Sequence, residues 1–139
     1  MNPVLVKKLV SRYPLFLREI KALAEHEWYS RFRDCGDGWF DLVDQACTGV
    51  EAECLYALKI REAPVANIPH LKCATQKSWE LRLHVGMSTD HSTRLGNIVR
   101  KESLFICERC GAPTSHHQTC WTTLCEWCLR LAGATGRRR

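Results

Sequence analysis

The chain has 139 residues, 45% hydrophobic and 25% charged, a balance that excludes wholesale disorder and allows one domain with a sizeable core. No apolar run approaches the roughly 18 residues of a bilayer span, and the MNPVLVKKLVSRYP start lacks the charge order and small-residue cleavage site of a signal peptide, so a cytoplasmic protein without a membrane partner is expected. Net charge is +5, and nine cysteines without an export signal argue for metal ligands and buried thiols rather than a disulfide framework.

In chain order, residues 1 to 33 read as helical. Pro3 suits a first turn, and Val4, Leu5, Leu9 and Val10 form an apolar stripe that Pro14 punctuates. Leu15, Leu17, Ile20, Leu23 and Ala24 resume helical spacing towards Trp28 and Phe32, with Arg18, Lys21, Glu25 and Glu27 on the wet face. The stretch CGDGWFDLVDQAC, residues 35 to 47, comes next. Its glycines are expected to allow a sharp entry turn into a helix from residue 38 to about 50, with Asp37 as N-cap and Trp39 as first core anchor. Asp37, Asp41 and Asp44 share a face there, which complements the helix dipole and is preferred to a magnesium site. Residues 51 to 62 fit helix or strand, and APVANIP, residues 63 to 69, reads as a loop.

Residues 70 to 76 and 79 to 85 alternate and are expected to pair as a β-hairpin. Trp79, Leu81, Leu83 and Val85 would share one face, and Glu80, Arg82 and His84 the other. Residues 88 to 103 open with N-cap candidates and carry Leu95, Ile98 and Val99 at helical spacing.

The most specific signal is Cys107-x2-Cys110, a fourteen-residue gap, then Cys125-x2-Cys128. Two residues between paired cysteines let both sulfurs face one tetrahedral ion, so one structural Zn²⁺ is expected. Gly111 suits the turn of a knuckle, whereas the second pair runs into a helix whose N-terminal N–H groups favour thiolate. Knuckle plus helix start resembles a treble-clef finger. Four thiolates leave no place for an activated water, which points to a non-catalytic ion. His116, His117 or Cys120 could replace a ligand, and either histidine could serve a His-dependent nuclease, although the partner residues of such a nuclease are missing. Cys35, Cys47, Cys54 and Cys73 have no short pair and read as buried thiols.

Residues 86 to 139 hold 8 Lys/Arg against 4 Asp/Glu, and Arg137, Arg138 and Arg139 supply three of those cations. Direct DNA or RNA binding through Arg130 and this tail, with Arg82 on the hairpin, is therefore one functional expectation.

CGDGWFDLVDQAC, the strand QKSWELRLHV, the helix ending at Ser103 and ICERCGAP…WTTLCEWC together resemble a family of small uncharacterised proteins of bacteriophages, prophages and mobile elements. Those share a Cys-Gly-Asp-Gly-Trp motif, a Lys-Glu-Lys-Phe-Gly-x-Leu-Arg-Phe-type strand and a closing cysteine-rich finger. Here the strand keeps Lys77, Trp79 and the Leu81-Arg82 pair but loses the glycine. The resemblance spans roughly residues 12 to 130 and implies a setting inside a bacterial host. In that setting a small non-enzymatic protein binds, and modulates or inhibits, a host protein or ribonucleoprotein complex, with CRISPR effectors among the candidates.

The expected architecture is α+β: N-terminal helices, a β-hairpin, a further helix and a treble-clef-like zinc finger. Residues 1–104 would form the core, 105–133 the four-cysteine finger packed on it, and 134–139 a basic tail.

Overall fold

A computed structural model describes residues 1–114, 118–119 and 122–134. His116, His117, Cys120 and the arginines at 137, 138 and 139 lie outside the described residues. The fold is mixed helix and strand, with a two-stranded antiparallel hairpin and a C-terminal cysteine cluster.

Helix α1, Pro3–Arg12, begins where Asn2 Oδ1 accepts the Leu5 N–H at 3.1 Å, with proline where no N–H is required. Val6, Leu9 and Val10 are its buried residues. The rest of the expected N-terminal helix is broken into short pieces: α2 (Arg18–Lys21), α3 (Glu25–Trp28) and a 3-10 turn over Tyr29–Phe32. Pro14 stops α1, and the backbone N–H groups of Leu15 and Phe16 that the break exposes find a buried acceptor. Glu51 takes them at 3.1 and 2.7 Å with its two carboxylate oxygens. A charged acceptor buried on another element thus closes a chain break, a long-range contact that local periodicity does not carry.

Helix α4, Phe40–Lys59, runs for 20 residues and buries Leu42, Val43, Ala46, Cys47, Val50, Glu51 and Cys54. The ambiguous residues from 51 onward are therefore helical as far as Lys59. The expected loop follows. Arg18 clasps its end, donating to the carbonyls of Ile68 at 2.8 Å and Pro69 at 2.9 Å.

Strands β1 (His70–Lys77) and β2 (Glu80–Gly86) form the expected hairpin, with an irregularity between Leu71 and Cys73. Leu71, Ala74 and Leu81 are its fully buried positions. Trp79 is not on the strand face with Leu81 as expected, because it occupies the turn. Ser78 and Trp79 both have positive φ, 52° and 69°. A two-residue turn with left-handed backbone at both positions matches strand twist but normally uses asparagine and glycine. Here no glycine relieves it, and the Thr123 hydroxyl donates to the Trp79 carbonyl at 2.9 Å.

Helix α5, Asp90–Ser103, is capped by Thr89, which accepts from the Ser92 N–H at 3.1 Å while Ser92 Oγ accepts from the Thr89 N–H at 2.8 Å. Val99 packs into the core and Leu95 against its edge, whereas Ile98 faces outward at 44% exposure, contrary to the expected shared stripe. Gly49 of α4 lets this helix approach, since a Cβ there would lie 2.6 Å from Leu95. Ser103 fastens the other end, donating to Arg100 O at 2.7 Å and accepting the Leu81 N–H at 2.9 Å. The short strands β3 (Gln118–Thr119) and β4 (Thr122–Thr123) pair, and α6 (Glu126–Ala134) ends the described chain.

Candidate metal centre

The first cysteine pair sits on a tight turn. Cys107 N–H donates to Ala112 O and Gly111 N–H to Cys107 O, both at 2.8 Å, with a bridge between Ile106 and Pro113. Gly111 is the turn's left-handed residue, φ +79°, a conformation glycine adopts without steric cost. The second pair sits at a helix start: Cys125 immediately precedes α6 and Cys128 lies on its first turn. Helical hydrogen bonding begins there, with Leu129 N–H donating to Cys125 O at 2.9 Å and Cys128 N–H reaching Cys125 Sγ at 3.5 Å. The helix dipole at this end favours negative sulfur.

All four sulfurs, of Cys107, Cys110, Cys125 and Cys128, lie within 4.8 Å of one another, and Cys110 Sγ and Cys125 Sγ are 3.7 Å apart. Metal–sulfur bonds of about 2.3 Å in a tetrahedron place sulfurs about 3.8 Å apart. The four cysteines are thus positioned to hold one metal ion. Their thiols are already unequal. Burial alone would raise Cys107, but N–H groups of Cys125, Cys110 and Arg109 outweigh it and bring it down to about 7. Burial and then the neighbouring sulfurs push Cys128 up. Ionising all four sulfurs this close together would require a cation between them.

The other described cysteines form no such group, and Cys73, expected as a buried thiol, is only half-buried on β1. Cys35, Cys47 and Cys54 are buried in the core, and burial pushes their thiols up, Cys35 to about 12 and Cys54 to about 11. Among the described residues, Cys107, Cys110, Cys125 and Cys128 form the only metal-holding cluster.

The CGDGW stretch meets this centre, which the sequence reading did not anticipate. Gly38 N–H donates to Glu108 O at 2.8 Å, and Trp39 Nε1 donates to Ile106 O at 2.9 Å. A Cβ on Gly36 would stand 2.0 Å from Glu108 O, and one on Gly38 would stand 2.2 Å from Cys107 O and 2.4 Å from Gly111 N. Neither glycine is among the positive-φ residues. Their role is close backbone approach to the knuckle, not the freedom of a sharp turn. Asp37 is likewise not the cap of the second helix, which begins at Phe40 after a 3-10 turn over Asp37–Trp39. Its carboxylate accepts from Asn2, at 2.6 Å from the backbone N–H and 3.1 Å from the side-chain amide. It therefore ties the loop to the start of α1. Trp39 is a core anchor as expected, fully buried.

The expected contact arginines are partly engaged. Arg130 pairs with Glu126 one turn back on α6, and Arg82 lies 3.4 Å from Glu80. No helix among the described residues is long and apolar enough to cross a membrane. Comparison with family models, curated proteins and solved structures finds no match to this chain.

Proposed function

We propose that this chain is a non-enzymatic binding protein whose structural Zn²⁺ clasps a treble-clef-like finger onto the core. The carrying observation is the closed set of four cysteine sulfurs within 4.8 Å of one another. All-sulfur tetrahedral coordination suits zinc, and a full set of protein ligands leaves no position for water or substrate. The knuckle and helix start supporting the sulfurs favour the treble-clef reading, and the glycine dock at residues 36 and 38 gives the ion a fold to stabilise.

Function then resides on the surface. Trp127 and Leu131, one turn apart on α6, are 68% and 40% exposed on the helix that carries Cys128. Exposed aromatics of this kind anchor interfaces. With the resemblance to phage and mobile-element proteins, this supports a host macromolecular complex in a bacterial cell as partner, a defence ribonucleoprotein included. The test is affinity capture from a bacterial host with zinc-loaded wild type and Trp127→Ala, each with and without nuclease treatment. A saturable partner retained by wild type and lost by Trp127→Ala is expected. Identical recovery with both proteins would refute α6 as the contact surface, and turnover of any captured component would refute the non-enzymatic reading.

A further inference from the structure

A second surface lies away from the sulfurs, between β2 and α5. Arg82, His84, Ser88, Thr93, Asn97 and Arg100 line a hollow of about 320 Å³ there. Thr93 and Asn97 also line an adjoining hollow of about 380 Å³, which adds Arg94 and Lys101. Four cations and several neutral donors thus border two neighbouring hollows that share Thr93 and Asn97. Two carboxylates stand with them. Asp90 lies in the second hollow, and Glu80 Oε2 lies 3.4 Å from Arg82 Nη2 and 3.6 Å from Arg100 Nε. One carboxylate oxygen between two guanidiniums orients both and leaves net positive charge. Arg82 Nε is buried without a hydrogen-bond partner, and Arg100 Nε has only that 3.6 Å ion pair. The two side chains are 36% and 42% exposed, and guanidiniums at a concave site suit the oxygens of a phosphate. The floor is also open: a Cβ on Gly96, which lines the first hollow, would meet nothing within 4 Å. Helical packing does not require that glycine, and a larger side chain there has open space.

We infer that these two neighbouring hollows bind the phosphodiester backbone of a nucleic-acid strand. A strand is favoured over a mononucleotide because the cations continue along α5. Arg94, Asn97 and Lys101 share a helix face at spacings of about one turn, 5.4 Å, so more than one phosphate is met. The inference does not depend on the zinc-clasped binding role, and it moves nucleic-acid contact from Arg130 and the terminal arginines to α5 and β2.

The probe is a fluorescent single-stranded oligonucleotide of about 12 nucleotides, a length matched to small strand-binding sites, followed by anisotropy over a salt series with the full zinc-loaded chain. Binding that weakens linearly in log salt is expected. Arg82→Ala/Arg100→Ala should lower affinity by about fivefold per lost contact near 0.1 M salt, and the log–log slope by roughly 0.7 each. Gly96→Glu places a carboxylate in the hollow at a site with room for it, and should abolish binding with zinc content and thermal unfolding retained. Arg130→Ala should bind as wild type. No binding at low salt, or undiminished binding by Gly96→Glu, overturns the inference. Loss of binding only on removal of residues 137–139 does the same. A mononucleotide that competes as well as the oligonucleotide would refute the track along α5.

Discussion

Two groups of cysteines share this chain and do opposite work. Cys107, Cys110, Cys125 and Cys128 converge on one point, whereas Cys35, Cys47 and Cys54 are packed among core side chains. Residue type is identical, so the difference lies in the backbone. The finger turns N–H groups towards sulfur and lowers the Cys107 thiol, with Cys110 and Cys128 raised beside neighbouring sulfurs, while in the core burial raises every thiol. Environment decides whether a thiol is a ligand or a small apolar filler.

That contrast can be broken hardest at a ligand. Cys107→Ser should lose the ion and unfold residues 105–134, because metal binding and folding of such units are one equilibrium. Hydrogen exchange would show protection lost there and kept in α1 and α4. Acid should act the same way, since lowering the pH protonates the sulfurs and releases the ion. Next comes the seam between the two regions. Gly38→Ala puts a methyl 2.2 Å from Cys107 O and should cost about 3 kcal/mol, at the upper end of overpacking, read as a lowered urea midpoint with zinc retained.

Inside the core, Glu51→Ala removes the acceptor for Leu15 and Phe16 N–H and should cost about 3 kcal/mol with no change in metal content. Alkaline pH gives a milder test of the core thiols. Cys35 is raised from 9.0 to about 12 in the fold, so the folded state holds its proton more tightly than the unfolded chain. The stability this confers is fully present below pH 9 and declines as pH rises towards about 12. A urea midpoint that does not fall between about pH 8 and about pH 11 would contradict the burial assigned to that thiol. The smallest effect is at the hairpin tip. Ser78→Gly should relax its left-handed backbone, φ 52°, and change stability by less than about 1 kcal/mol, read as a small rise in thermal midpoint.

The two regions also differ in how much of them was legible in sequence. The ligand set was readable because paired cysteines two residues apart encode a coordination geometry locally. The first half of α4, the hairpin and a capped start of α5 within residues 88 to 103 were readable from periodicity and N-cap residue types, whereas residues 51 to 59 fitted helix or strand. Glu51 was not, because a buried carboxylate answering a chain break 35 residues away leaves no periodic trace. Nor was the role of Gly36 and Gly38, whose partners lie about 70 residues downstream. The two glycines signal a backbone requirement, and only the fold says that close approach, not positive φ, is the requirement. Trp79 fitted the alternation of the strand, and the turn overrode it.

We propose that one ion, held by four named sulfurs, folds the finger on which the CGDGW loop docks. Native mass spectrometry of wild type, Cys47→Ser and Cys107→Ser tests it most directly. One zinc ion per chain in wild type and in Cys47→Ser, and none in Cys107→Ser, is the predicted result. A metal-free wild type purified without chelator, or zinc retained by Cys107→Ser and lost from Cys47→Ser, would contradict it.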